Sequence, residues 1–79
     1  MTVRLVFLGR LEDAAGIAER DVAAGAFGAV LAALEPELAT ALTGDRVRVA
    51  VNGTLASEPG GLLLRDGDEV AFLPPVSGG

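Results

Sequence analysis

Glu69-Val70-Ala71-Phe72-Leu73 alternates Val70 and Phe72 against Glu69 and Ala71, and it runs directly into Pro74-Pro75-Val76-Ser77-Gly78-Gly79. The alternation is that of a strand with one apolar face. Thr2 to Leu8 shows the same pattern at the other end of the chain, with Val3, Leu5 and Phe7 on one face and Thr2, Arg4 and Val6 on the other. Val6 and Leu8 suggest that its second face is partly covered as well. Two strands with such apolar faces suit adjacent central positions in one sheet. Lying parallel there, they need a crossover between them, and a helix supplies it.

The intervening sequence provides that crossover. Phe27, Val30, Leu31 and Leu34 fall at i, i+3, i+4 and i+7, an apolar helical stripe. Gly25 is the expected, mediocre N-cap, since no Ser, Thr, Asp or Asn stands just before the stripe. Pro36 marks a stop or restart, and Leu38, Ala41 and Leu42 continue an apolar face until Gly44. Gly9 to Gly16 reads as a loop or short helical turn, and Ala18 to Val22 as a second strand. Arg46 to Val51 alternates Val47, Val49 and Val51 against Arg48, and Asn52-Gly53 is the favoured pair for a two-residue hairpin. Thr54 to Ser57 returns briefly, Leu62 to Leu64 is a short apolar segment, and Arg65-Asp66-Gly67-Asp68 forms the turn into the closing strand. One main helix covers one face of a mixed sheet of four to five strands, an α+β, ubiquitin-like β-grasp arrangement. With no internal repeat or linker, residues 1–73 form the domain and residues 74–79 an extended tail.

Composition narrows the chemistry. At 79 residues the chain is one small domain, 51% hydrophobic, with three Phe and neither Trp nor Tyr. It has no Cys and no His, which removes thiol catalysis, imidazole acid–base work and the usual zinc sites; no metal site is expected. All six basic residues are Arg, so there is no Schiff-base lysine. The net charge of −5 argues against nucleic acid and anionic membranes, and suits a partner with a basic active-site entrance. No apolar run approaches the roughly 18 residues of a membrane span, and no secretory leader is evident. A soluble, cytoplasmic chain is expected.

The tail then carries the functional reading. Pro74-Pro75 favours an extended backbone that holds the end away from the domain. Six extended residues beyond Leu73 reach roughly 20 Å at about 3.3 Å each. Gly78 and Gly79 lack side chains and fit a slot too narrow for other residues. Such a probe delivers the α-carboxyl of Gly79 into another protein's active site; the plainer alternative is a frayed terminus. Other candidates read more simply. Asp66, Asp68 and Glu69 lack the further ligands of a calcium loop and suit a solvated turn. Gly60-Gly61 is turn punctuation. Arg46 and Arg48 form a small basic strip of the kind that aids solubility. Phe7, Leu55 and Phe72 are read as core rather than docking residues.

Ala50-Val51-Asn52-Gly53, together with Leu64 to Gly79 and its Asp66-Gly67-Asp68-Glu69-Val70 and Phe72-Leu73-Pro74-Pro75-Val76 segments, resembles the small, sulfur-carrying subunits of molybdopterin synthase. The likeness is strong over about the last thirty residues and looser over the first strand and helix. It implies a carrier cycle. A ubiquitin-activating-type adenylyltransferase uses ATP to adenylate Gly79, and a sulfur donor (a sulfurtransferase or cysteine desulfurase) converts it to a thiocarboxylate. The large subunit of the heterotetrameric synthase receives the tail, and sulfur passes to cyclic pyranopterin monophosphate. Gly79 is the reacting residue on this reading. Phe72, Leu73, Pro74, Pro75, Val76, Ser77 and Gly78 contact the partner, with Phe72 and Leu73 anchoring the root of the tail. This chain binds no cofactor, and catalytic residues belong to the partners. Two departures concern the surroundings: the first loop of the family often has a basic residue near Glu12, and a Ser or Thr helix cap is missing near Gly25. The same fold and Gly-Gly end also suit a sulfur carrier for thiamine or another pathway, a ubiquitin-like protein modifier, or a plain interaction domain.

Overall fold

The computed structural model describes residues 1–44 and 46–75. Its elements run β1 (Thr2–Phe7), α1 (Arg10–Ala15), β2 (Glu19–Ala23), β3 (Gly25–Ala26), α2 (Phe27–Ala32) and α3 (Pro36–Leu42). They continue with β4 (Arg48–Val51), β5 (Thr54–Ala56), a 3-10 turn at Pro59–Gly61, β6 (Leu63–Leu64) and β7 (Glu69–Leu73). The main sheet has the order β2-β1-β7-β4-β5, so the first and last strands are neighbours as their apolar faces require. They pair in parallel, with Leu5 beside Val70 and Phe7 beside Phe72, while the other pairings of this sheet are antiparallel.

One face of this sheet builds the core. Val3, Leu5 and Phe7 of β1, Val49 of β4, and Val70 and Phe72 of β7 are buried with Phe27, Val30, Leu34, Leu38 and Leu42 from the crossover. Leu11 of α1 and Leu64 of β6 close the cluster. Burying each of these large side chains contributes about 1.5–3 kcal/mol, and the Phe rings add specific packing. Phe72 stacks on Phe7 at 5.9 Å and lies 6.3 Å from the tilted ring of Phe27. The opposite face carries the intervening residues, including Arg4, Val6, Arg48, Ala50, Ala71 and Leu73. No helix among the described residues is long and apolar enough to cross a membrane.

Two local expectations become specific and one is overturned. The stop or restart expected at Pro36 divides the main helix into α2 and α3, because Pro36 occupies the first turn of α3 and forces Glu35 into an extended conformation at φ −57°, ψ 138°. Gly9 to Gly16 holds a true helix, α1, closed by Gly16 in the left-handed conformation (φ 76°), whose N–H donates to Glu12 O at 2.8 Å. Gly25 is not the cap of α2. It lies in β3, paired with Leu64, and Ala26 stands at the cap with no side-chain bond. The two-residue pairing of β3 with β6 carries no periodicity, which is why the sequence pattern passes over it. The Asn52-Gly53 hairpin forms as expected, Val51 facing Thr54 with φ of 50° and 84° at the two turn residues.

Candidate functional site

Because β7 lies between β1 and β4, its last two residues are held from both sides. Leu73 faces Arg48 in the register with β4, and the Leu8 N–H donates to Phe72 O at 3.1 Å on the other flank. The next residue is also seated. Pro74 packs over Gly9, where a Cβ would lie 2.8 Å from Pro74 Cγ. Gly9 has φ 55° and ψ −133°, a conformation that residues with a Cβ avoid. Gly9 therefore serves two ends, turning the chain from β1 into α1 and making room for the proline ring at the root of the tail. Sequence reasoning placed Gly9 only at the start of a loop. Its proximity to Pro74 follows from the parallel pairing of β1 with β7, which no local pattern reveals.

The predicted contact residues separate into three sets. Phe72 is fully buried at 0% exposure, so it offers no surface to a partner and acts as an internal anchor. Leu73, Pro74 and Pro75 are half-buried at the surface. Val76, Ser77, Gly78 and Gly79 lie outside the described residues. Beside Leu73, Pro74 and Pro75 opens a groove of about 710 Å³ whose lining includes Arg46, Arg48 and Leu55. Leu55 is 59% exposed, so the reading of it as core is wrong; Phe7 and Phe72 are core as expected. Leu55 is pushed outward by its place on β5, opposite Ala50 on the face away from the helices. The Arg46–Arg48 strip, read from sequence as a solubility feature, lines the tail-root groove.

The acidic stretch has a structural part at the far end of β7. The Asp68 carboxylate accepts from the Arg65 N–H at 2.8 Å and from Asn52 Nδ2 at 3.0 Å, while the Glu69 N–H donates to Asn52 Oδ1 at 3.0 Å. Asp66 Oδ1 accepts from the Thr2 N–H at 2.8 Å. These bonds tie the turn to β1 and to the hairpin. They also hold the Asp68 carboxyl below its ordinary value, chiefly through the Arg65 backbone bond and then the Asn52 side-chain bond. The stretch fixes where β7 begins, and so where the tail leaves.

Sequence comparison matches residues 5–79 to the ThiS family, a span that includes the whole of the tail. The chain is 37% identical over 84 residues to the molybdopterin synthase sulfur carrier subunit of Escherichia coli K12, covering 98% of this chain and 99% of that one. Among solved structures it resembles SAMP1 from Haloferax volcanii, with a TM-score of 0.79 at 28% identity over the full length of both chains. It also resembles the small archaeal modifier protein 1 from Methanosarcina acetivorans, with a TM-score of 0.80 at 29% identity over 99% of this chain and 96% of that one. A β-grasp sheet with β1 and β7 at its centre, Pro74 seated on Gly9 at the root of the tail, and a match through residue 79 together establish that the chain belongs to the ThiS family.

Proposed function

We propose that the protein is a sulfur carrier in molybdenum cofactor biosynthesis, with the α-carboxyl of Gly79 as the carrying group. The observation that bears most weight is the 37% identity with the E. coli synthase subunit over nearly the full length of both chains, in a chain with no Cys, His or Lys to carry sulfur or an acyl group on a side chain. A free carboxylate is ionised at neutral pH and is a poor electrophile. An adenylyltransferase of the ubiquitin-activating type therefore forms an acyl-adenylate from Gly79 and ATP, releasing pyrophosphate. The outer sulfur of a persulfide on a sulfurtransferase or cysteine desulfurase then displaces AMP, giving an acyl disulfide, and a thiol reductant cleaves its S–S bond to release the thiocarboxylate while itself becoming a disulfide. On the large subunit of molybdopterin synthase, two such deliveries to cyclic pyranopterin monophosphate build the dithiolene. This chain contributes position rather than catalysis: Phe72 anchors β7, Gly9 seats Pro74, and Gly78-Gly79 enters the slot. The nucleotide belongs to the activating partner, the working assembly is a heterotetramer, and its setting is the cytoplasm.

The test is mass spectrometry of the C-terminal tryptic peptide, Asp66 to Gly79. Incubation with ATP, the activating enzyme and a sulfur source is expected to replace one oxygen of Gly79 by sulfur. Met1, the one methionine, lies outside this peptide, so its oxidation does not imitate the change. No sulfur at Gly79 under these conditions would rule the carrier reading out. Likeness to small archaeal modifier proteins favours a second reading, conjugation of Gly79 to lysines of other proteins. Trypsin would leave Asp66 to Gly79 on such a lysine as a branched remnant. Branched peptides without thiocarboxylate would select the modifier reading.

A further inference from the structure

The groove beside the tail root has a charge opposite to that of the molecule. The chain carries eleven Asp and Glu against six Arg, yet among the described residues no carboxylate side chain lines this groove, and Arg46 and Arg48 do. Two of the other four arginines are paired, Arg4 with Asp21 at 3.3 Å and Arg20 with Glu35 at 3.0 Å, while Arg10 and Arg65, like the groove pair, make no ion pair among the described residues. Exposed guanidiniums beside an apolar surface are suited to charge-assisted pairing with carboxylates.

The apolar part of the same surface is shaped by register. Leu55 faces Ala50, Ala50 faces Ala71, and Ala71 faces Val6, giving a row of small residues from which Leu55 projects. Leu55 lines the groove together with Leu73, Pro74 and Pro75. A protein that takes up the tail must cover this surface too. We infer that the Arg46–Arg48–Leu55 groove docks on a carboxylate-bearing, partly apolar rim around the tail-receiving slot of the large synthase subunit. This rests on the sulfur-carrier reading, and it reverses the basic rim that the net charge alone suggests. A phosphate of the reacting substrate is a poorer occupant. Four residues beyond Pro75 can reach up to about 13 Å at about 3.3 Å each, enough to carry the chemistry away from the groove.

The experiment measures binding of the full chain to the purified large subunit of the same organism, at low and high salt. Arg48→Glu and Arg46→Glu are compared with Arg65→Glu, which makes the same charge change at the other end of β7. Thermal unfolding checks that each variant folds, as exposed positions should permit. The groove variants are expected to weaken binding at least about tenfold at low salt, with Arg65→Glu within about twofold and the gap narrowing as salt rises. Equal or tighter binding by the groove variants, with wild type binding normally, overturns the inference and leaves the carrier reading standing. Competition by millimolar inorganic phosphate overturns it too, in favour of an anion site. A wild-type chain that neither binds the large subunit nor gains sulfur sinks both.

Discussion

At the scale of single residues, Gly9 and Asp68 govern the two ends of β7. Gly9→Ala places a Cβ 2.8 Å from Pro74 Cγ and forces φ 55° on a residue that resists it. Stability should fall by about 1–3 kcal/mol in urea unfolding. Adding Pro74→Ala removes the clash but not the backbone strain, so the double variant should recover part of the loss. Strict additivity would show that the two residues do not meet. Asp68 yields a pH prediction. Its folded-state pKa is lowered, so its bonds to Arg65 and Asn52 favour folding above the unfolded value near 3.8. That contribution is lost as pH falls through the lower folded value. The stability gap between wild type and Asp68→Asn should therefore be constant above about pH 5 and shrink in more acid solution. A gap that stays constant down to about pH 2 would mean the carboxylate is not held by these partners.

At the scale of elements, the core strand β7 is what the tail stands on. Phe72 lies between Phe7 and Phe27 with no exposed surface, so Phe72→Ala should cost about 3–5 kcal/mol. A domain of this size commands about 4–12 kcal/mol in all, so the variant should lose a large share of it, and its unfolding midpoint by far-ultraviolet circular dichroism should fall by at least about 12 °C, at about 4–8 °C per kcal/mol. A cooperative transition near the wild-type temperature would contradict the anchoring role. Phe72 also shows how far sequence reaches. Alternation over Val70 and Phe72, and over Val3, Leu5 and Phe7, revealed both central strands and their apolar faces, because a half-covered sheet imposes period two. The turn at Asn52-Gly53 and the break at Pro36 were legible because each follows from local backbone chemistry. What escaped depends on contacts distant in sequence: the Gly9–Pro74 seat, the β3–β6 pair and the exposure of Leu55. Alternation told that Leu55 sits on a strand, but only the strand order places it on the open face.

At the scale of the whole molecule, the fold and the chemistry are separable. Every residue of the described core lies between Val3 and Phe72, and the ladder that fixes β7 ends at Leu73. A chain cut after Pro75 should therefore keep its stability within about 0.5 kcal/mol, the usual range for changes away from packed features. It should accept no sulfur, because the α-carboxyl it then presents is four residues too short for the slot. It keeps Arg46, Arg48, Leu55 and the seated Pro74, so it should still occupy the docking surface and compete with the intact carrier. In a synthase assay this predicts a raised KM for intact thiocarboxylated carrier with kcat unchanged, relieved by excess carrier. Unfolding of the cut chain would place residues 76–79 within the stability of the domain. A folded cut chain that does not compete would put the binding energy in the Gly-Gly end rather than in the groove. Competition without transfer would show that affinity and delivery reside in different parts of the molecule, the sheet face supplying one and the last four residues the other.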